Sequence, residues 1–383
     1  MDFPKRVLYF SRNFSTHDIR FLTSLADTEY DVYFLRLENQ KSNLRVDVLP
    51  SKIKVLPPLN KNQEFTFLNI PGNAIDLRNI IKQITPDIIH AGPIQSCGFL
   101  AALAGFSPLV TMSWGSDILV DSERNIFLKW ITKYTLKKTA ILIGDCEAVK
   151  NKVIQFNFSE NRIVLFPWGI DLQKYQPGKN EEYRKKLGWL DKFVLLSLRS
   201  WERIYGVDIV VNGFIEAIKS EPDLRLILLG NGSQTEIIKS IIKEAGLSDR
   251  VFFGGVVDQN DLPGYYQASD LYISASYSDG SSVSLMEALA CGIPVLVSDI
   301  PGNKEWIETD KNGWMFQSGD YLSLANSIIK ICKNKKDLPS ISLKARKTAE
   351  RKANWNENFQ KNQHAYELAL NLNHNREEIS GLT

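Results

Sequence analysis

In the stretch DGSSVSLMEALACGIPVLVSD, residues 279–299, two carboxylates flank a loop of small residues. Asp279 precedes Gly280, Ser281 and Ser282, and Glu287 follows after Val283 and Ser284, eight positions beyond the first acid. The apolar run that starts near Ser282 closes at Gly292, and Pro294 cannot extend it, so the pattern predicts a helix with Ser282 as its N-cap. The first amides of such a helix have no internal acceptor, and the helix dipole adds positive potential, which makes Ser282 to Ser284 an anion site. Gly280 removes a Cβ where a ligand must approach the backbone. Glu287, a turn further on, can accept two hydroxyl hydrogen bonds, as from a ribose, and Asp279 lies at the loop end, within reach of further hydroxyls. The joint pattern fits a ligand that carries both phosphate and hydroxyl groups. Either acid alone reads as well as a solvated carboxylate.

The elements that must position these groups alternate along the whole chain. Short apolar runs separated by amphipathic segments are the βαβα pattern of parallel sheets covered by helices. In the first half the expected strands are RVLYFS, DVYFLRL, IIHAG, PLVTMSW and AILIGD; in the second they are FVLLSL, LRLILLG, VFFGG, LYISAS, PVLVS and GWMF. The stretch FPWGIDLQKYQPGKNEEYRKKLGW is polar, carries Pro and Gly and has no sustained period, so it is expected to link two domains. The expected division is 1–170 and 171–353, with a last helix at about 354–372 that packs back on the first domain or caps either one. Ligands of doubly wound sheets bind beyond the carboxyl ends of the strands.

The 383 residues are enough for two domains, and 44% hydrophobic with 23% charged residues is ordinary globular composition. A formal net charge of +2 gives no global field for nucleic acid. Cys97, Cys146, Cys291 and Cys332 have no C-x-x-C spacing, which argues against a zinc site and a disulfide framework and fits a reducing compartment. The amino-terminal MDFPKRVLYFSRNF does not fit a signal peptide, and no apolar stretch is long enough to span a bilayer. A cytoplasmic location is expected, including the inner face of the cytoplasmic membrane.

Asp279-x7-Glu287 followed by ALACGIPVLVSD resembles the Glu-x7-Glu signature of the family 4 retaining glycosyltransferases (glycosyl transferases group 1). FPWGIDLQKY resembles the family's N-G-V-D-x-x-x-F motif, SLRSWERIYGVDIVVNGF its R-x5-K-G-x-D segment, and LLGNGS and FFGGVVDQNDLPGYYQASDLYISAS the two strand-loop units that follow. The resemblance implies an α/β chain of the GT-B fold, two Rossmann-like doubly wound domains facing across a cleft. It implies transfer of a sugar from a nucleotide diphosphate sugar to a hydroxyl, without metal or other cofactor. By the same resemblance Glu287 binds the nucleotide ribose, Asp279 contacts the donor sugar, Gly280, Ser281, Ser282, Val283 and Ser284 line phosphate and sugar, and Arg199 neutralises the diphosphate. A guanidinium suits that role, because a leaving phosphate needs positive charge as the glycosidic bond breaks.

The chain departs from the family pattern in three places. The family Lys is Tyr205, with Arg203 nearby as an alternative charge. The first acid is Asp, one methylene shorter than Glu. The family's H-G-x-D is Trp114-Gly115-Ser116-Asp117, and an indole can stack on a sugar but cannot act as a base. On this acceptor side the further candidates are His17 and Asp18, after the first strand, and His90, which ends the strand DIIH. Asp18 reads equally as the partner of Ser15 in a capping box, and His90 as a buried structural side chain. The segment from about Ser122 to Lys138 interleaves Arg124, Lys129, Lys133, Lys137 and Lys138 with Phe127, Trp130, Ile131 and Tyr134. It fits a helix lying on an anionic membrane, or one packed on its own sheet with a solvated basic face. The partners expected are a nucleotide-sugar donor and a glycan, lipid-linked or small-molecule acceptor. The alternatives are a nucleotide-sugar 2-epimerase on a similar fold and a nucleotide-sugar binding module that has lost catalysis.

Overall fold

The computed structural model describes residues 4–39, 46–60 and 64–380. The chain divides into two compact units. The first runs to Phe166 and takes up the chain again from Asn356; the second is Pro167–Trp355.

The first unit is built on a seven-stranded sheet. Its strands are β1 Arg6–Ser11, β2 Asp31–Arg36, β3 Lys54–Val55, β4 Ile88–Gly92, β5 Leu109–Met112, β6 Ile141–Gly144 and β7 Ile163–Leu165, in the order β3-β2-β1-β4-β5-β6-β7. The second unit has β8 Phe193–Ser197, β9 Leu224–Leu229, β10 Val251–Gly255, β11 Leu271–Ser274, β12 Val295–Ser298 and β13 Trp314–Phe316, in the order β10-β9-β8-β11-β12-β13. Every pairing among these strands is parallel. Strands such as Phe193–Ser197 and Leu224–Leu229 are buried at every position, because helices cover both faces, and this is why they read as continuous apolar runs. In each sheet the order reverses direction once, between β1 and β4 and between β8 and β11. Ligands of doubly wound sheets bind at such switch points, beyond the carboxyl ends of the strands.

The strands expected from the sequence are present. β3 and β7 are additional: β3 is a two-residue edge strand with both residues exposed, and β7 is a half-buried edge strand of three residues. The expected linker is instead a folded part of the second unit. Ile170 pairs with the chain at Asn354, Tyr175 and Trp189 are buried, and Glu181–Lys186 is a helix. These apolar residues are too irregularly spaced to show a period, yet each finds a place in the core. The last helix, Trp355–Ser380, lies on the first unit. Phe359 meets Phe21 with ring centroids 6.4 Å apart, and Tyr366 meets Tyr30 at 5.4 Å.

Candidate active site

At the switch point of the second unit, the loop after β8 carries Arg199 and the loop after β11 carries residues 275–282. Two glycines let these loops close together. Gly206 has a φ of +58°, and a Cβ there would lie 2.3 Å from the Ala275 carbonyl oxygen. At Gly302, in the short helix Pro301–Lys304, a Cβ would lie 2.5 Å from the carbonyl oxygen of Gly280. Any other residue at either position would push the 275–280 loop away from the strand ends.

The Arg199 guanidinium is the hub. Its Nη1 donates to Ser282 Oγ at 2.9 Å and Ser284 Oγ at 3.2 Å, and its Nη2 pairs with Asp279 Oδ2 at 2.8 Å. The Tyr205 ring lies against its face, 4.2 Å from Cζ to the ring centroid. Burial works against the charge, but the Asp279 carboxylate and the nearby phenols of Tyr272, Tyr205 and Tyr266 outweigh it and hold the guanidinium pKa above its usual value. The cation is therefore permanent, and its side chain keeps only 12% exposure.

The helix after the loop is Val283–Ala290. Ser282 stands at its N-cap position, but its side chain makes no cap hydrogen bond. This corrects the expectation of a side-chain cap: the hydroxyl is drawn to Arg199 and Ser284 instead. The ladder begins with the Met286 amide donating to the Ser282 carbonyl, so the amides of Val283 and Ser284 have no partner within the helix. Ser281, Ser282, Ser284 and Gly280 are buried, and Val283 is half-buried. Glu287 is also buried, and its Oε2 accepts from the Tyr266 hydroxyl at 2.9 Å, while that hydroxyl reaches the Ser284 carbonyl oxygen at 3.0 Å. Burial, with the Glu287 charge beside it, raises the Tyr266 pKa well above its usual value, so the phenol stays a donor. Tyr272 closes the set by exchanging a hydrogen bond with Ser284 Oγ at 2.7 Å.

Arg199, Asp279, Ser282, Ser284 and Glu287, singled out from the sequence, thus come together. Arg203 does not join them: it is exposed on the 3₁₀ turn Arg203–Tyr205 and does not supply the charge of the missing Lys. Tyr205 joins through its ring face. Tyr266 and Tyr272 carried no signal in the sequence, because their partners lie 12 to 21 positions away on other elements.

In the first unit, the sequence candidates separate into two groups. Asp18 is fully buried; its Oδ2 accepts from the Ser15 amide at 2.8 Å and the Ser15 hydroxyl at 2.6 Å, and its Oδ1 from Tyr9 at 3.2 Å. It caps the helix Thr16–Ala26, and burial raises its pKa. Asp117 accepts from the amides of Ile94, Trp114 and Ile118 and from the Ser113 hydroxyl, which consumes its carboxylate in shaping the Trp114 loop. His90 is enclosed by Tyr9, Phe21 and Tyr366, with Nδ1 2.6 Å from the Tyr366 hydroxyl, and burial lowers its pKa to about 3. These three are corrections to the acceptor-side and catalytic expectations: Asp18 and Asp117 are occupied by internal donors, and His90 is buried among aromatic rings, its Nε2 without a hydrogen-bond partner among the described residues. His17 and Trp114 remain half-buried at the carboxyl ends of β1 and β5, with ring centroids 5.2 Å apart.

The solved structure of HepE from Anabaena, in complex with UDP and glucose, superposes with a TM-score of 0.79, covering 95% of this chain and 98% of that one at 20% identity. Among curated proteins, N-acetyl-alpha-D-glucosaminyl L-malate synthase of Bacillus anthracis is 27% identical over 68% of this chain and 69% of its own length. The UDP-Gal:alpha-D-GlcNAc-diphosphoundecaprenol alpha-1,3-galactosyltransferase of Escherichia coli is 24% identical over 81% of this chain and 82% of its own. The fold, two parallel-sheet α/β units, is that of the GT-B glycosyltransferases. Residues 179–348 match the family model of glycosyl transferases group 1, and residues 6–145 match that of glycosyl transferase 4-like proteins. By these matches and relatives the chain is a glycosyltransferase, similar over residues 179–348 to the group 1 enzymes and over residues 6–145 to the 4-like proteins.

Proposed function

We propose that this enzyme transfers a sugar from a UDP-sugar to a hydroxyl of a glycan or lipid-linked acceptor, with retention of the anomeric configuration. The observation that carries the proposal is the gathering of one permanent cation, Arg199, two helix-start amides and the buried Glu287 at the switch point of the second unit. HepE in complex with UDP, and with UDP-glucose, supports a uridine nucleotide as donor. The Escherichia coli relative, named for UDP-Gal and a diphosphoundecaprenol acceptor, supports a lipid-linked acceptor.

On this reading Glu287 binds the ribose hydroxyls, Arg199 and the amides of Val283 and Ser284 bind the diphosphate, and Asp279 serves the sugar. The bond between the anomeric carbon and the phosphate oxygen breaks, and its electrons pass to the diphosphate, where Arg199 stabilises them. The acceptor oxygen bonds to the same face of that carbon, and its proton passes to the departing phosphate oxygen. Glu287 is bound to Tyr266 on the ribose side, so it is not poised as a nucleophile at the anomeric carbon. His17 and Trp114 form the acceptor platform on the first unit. Transfer requires no divalent cation, since Arg199 supplies the positive charge.

The helix Ile126–Lys138 is assigned to peripheral membrane contact. It buries Ile131, Thr132, Thr135 and Leu136 but leaves Ile126 88% and Trp130 52% exposed, beside Lys129 and Lys133. Phe127 packs edge-on against Phe67, 5.1 Å away, next to the exposed Leu68, so the apolar ledge extends beyond the helix. Such a surface suits the headgroup boundary of an anionic bilayer, and the enzyme would then work at the inner face of the cytoplasmic membrane.

The test is release of UDP from a panel of UDP-sugars with glycan and polyprenyl-diphosphate-linked acceptors, with the product anomer read by NMR. An inverted anomer would reject retention. Turnover with no UDP-sugar, but with another nucleotide sugar, would reject the donor.

A further inference from the structure

We infer that Tyr205 is a positioning residue: its ring face fixes the plane of the Arg199 guanidinium while one edge of that guanidinium passes from Asp279 to the diphosphate of the donor. The inference rests on the reading of Arg199 as the diphosphate-binding cation.

A guanidinium has five N–H donors in one plane. In Arg199, Nη1 donates to the hydroxyls of Ser282 and Ser284, whereas Nη2 lies 2.8 Å from a single oxygen of Asp279, an ion pair too poorly aligned to be a hydrogen bond. Nε is buried and has no acceptor among the described residues. The edge formed by Nε and Nη2 therefore carries one acceptor oxygen where it has room for two. Asp279 does not fill the edge because its other oxygen, Oδ1, accepts from the Gly280 amide at 3.1 Å. A phosphate presents two oxygens at the spacing this edge requires. Asp279 is thus an incomplete stand-in for the diphosphate, and the better acceptor displaces it. The displaced carboxylate is then free for the sugar, on the same loop.

Such an exchange needs a guanidinium that keeps its orientation when its counter-ion leaves. The serine pair fixes one end, and the Tyr205 ring, 4.2 Å away, fixes the face. The ring is itself anchored. Tyr205 packs against the apolar core of the second unit, its amide donates to the Glu202 carbonyl at 2.9 Å, and the next residue is Gly206, wedged against Ala275. A lysine here would add a second charge; the aromatic ring adds none, and instead steers the single charge already present. With Asp279 in place, the pair at the heart of the site is electrically neutral.

The experiment is calorimetry with UDP, and NMR titration with uridine, on the wild type, Tyr205→Leu, Tyr205→Phe, Arg199→Gln and the Arg199→Gln/Tyr205→Leu double variant, each checked for folding by thermal denaturation. Tyr205→Leu should weaken UDP by at least roughly tenfold, from the loss of a largely desolvated cation–π contact, and leave uridine within about threefold. Tyr205→Phe should recover most of the UDP loss. In the Arg199→Gln background, Tyr205→Leu should cost less than about threefold, since no guanidinium remains to be held. Equal losses for UDP and uridine, or equal losses in both backgrounds, would overturn the inference alone. Undiminished UDP affinity in Arg199→Gln would overturn the donor-site reading and this inference with it.

Discussion

Asp279→Asn removes the charge set against Arg199, and keeps the size of the side chain. The Nη2–Oδ2 distance is 2.8 Å. At an effective dielectric of about 20, two unit charges at that separation attract by roughly 6 kcal/mol. The side chains of Arg199 and Asp279 keep only 12% and 20% exposure, so desolvation consumes most of that attraction and a net of about 1–2 kcal/mol remains. A diphosphate that takes the place of Asp279 must overcome this same quantity. The variant should therefore be less stable without ligand, with a Tm lower by about 2–6 °C for a unit of this size. It should also bind UDP more tightly, by about tenfold, which corresponds to roughly 1.4 kcal/mol. Turnover should move the other way and fall by roughly tenfold or more, because a carboxylate beside the developing positive charge acts mainly in the transition state. Thermal denaturation with and without UDP, calorimetry and UDP-release kinetics read the three quantities separately. Weaker UDP binding in a folded variant would mean that Asp279 touches the nucleotide, and the exchange of acceptors at Arg199 would be refuted.

Glu287→Ala should weaken UDP by about 1–3 kcal/mol, the cost of strong hydrogen bonds left unmade, and calorimetry with the folded variant checks this. His90 titrates at about 3 in the folded protein and near its ordinary value of about 6.5 when unfolded, so the unfolded state binds the extra proton between those values. Stability contributed by the neutral ring is thus complete above about pH 6.5 and is lost on acidification, by about 1.4 kcal/mol per pH unit down to about pH 3. The difference in unfolding free energy between the wild type and His90→Gln should show that slope in denaturant titrations. Vesicles containing anionic lipid should sediment the protein at low salt and release it at high salt, and replacing Ile126 and Trp130 with Ser should abolish the retention. Excess EDTA should leave the rate of UDP release within about twofold, measured on protein freed of divalent ions.

Much of the donor half-site was legible because the fold writes it locally. Asp279, the serines and Glu287 lie within nine consecutive residues, and the strand before them and the Gly292 stop after them fix where the helix begins. What was hidden is what only tertiary structure brings together. Tyr266 lies 21 positions from the Glu287 that it holds, on another element, and nothing in R-x5-Y distinguishes a phenol that donates to phosphate from a ring that supports a guanidinium. Part of the acceptor side stayed open between two readings for a related reason. Asp18, His90 and Asp117 all stand at strand ends or first turns, where ligands bind, but those are also the places where a fold needs caps and loop anchors. Sequence position cannot separate a carboxylate offered to solvent from one consumed by four internal donors, as at Asp117. The edge strands β3 and β7 escaped detection because two or three residues carry too little pattern to mark a strand.

The donor site can be tested most directly by hydrogen–deuterium exchange with and without saturating UDP. Slower exchange should appear in residues 198–206 and 277–287, the two loops that carry Arg199, Tyr205, Asp279 and Glu287. Unchanged exchange in both loops, or protection confined to residues 113–117 of the first unit, would contradict a nucleotide site at the switch point of the second unit.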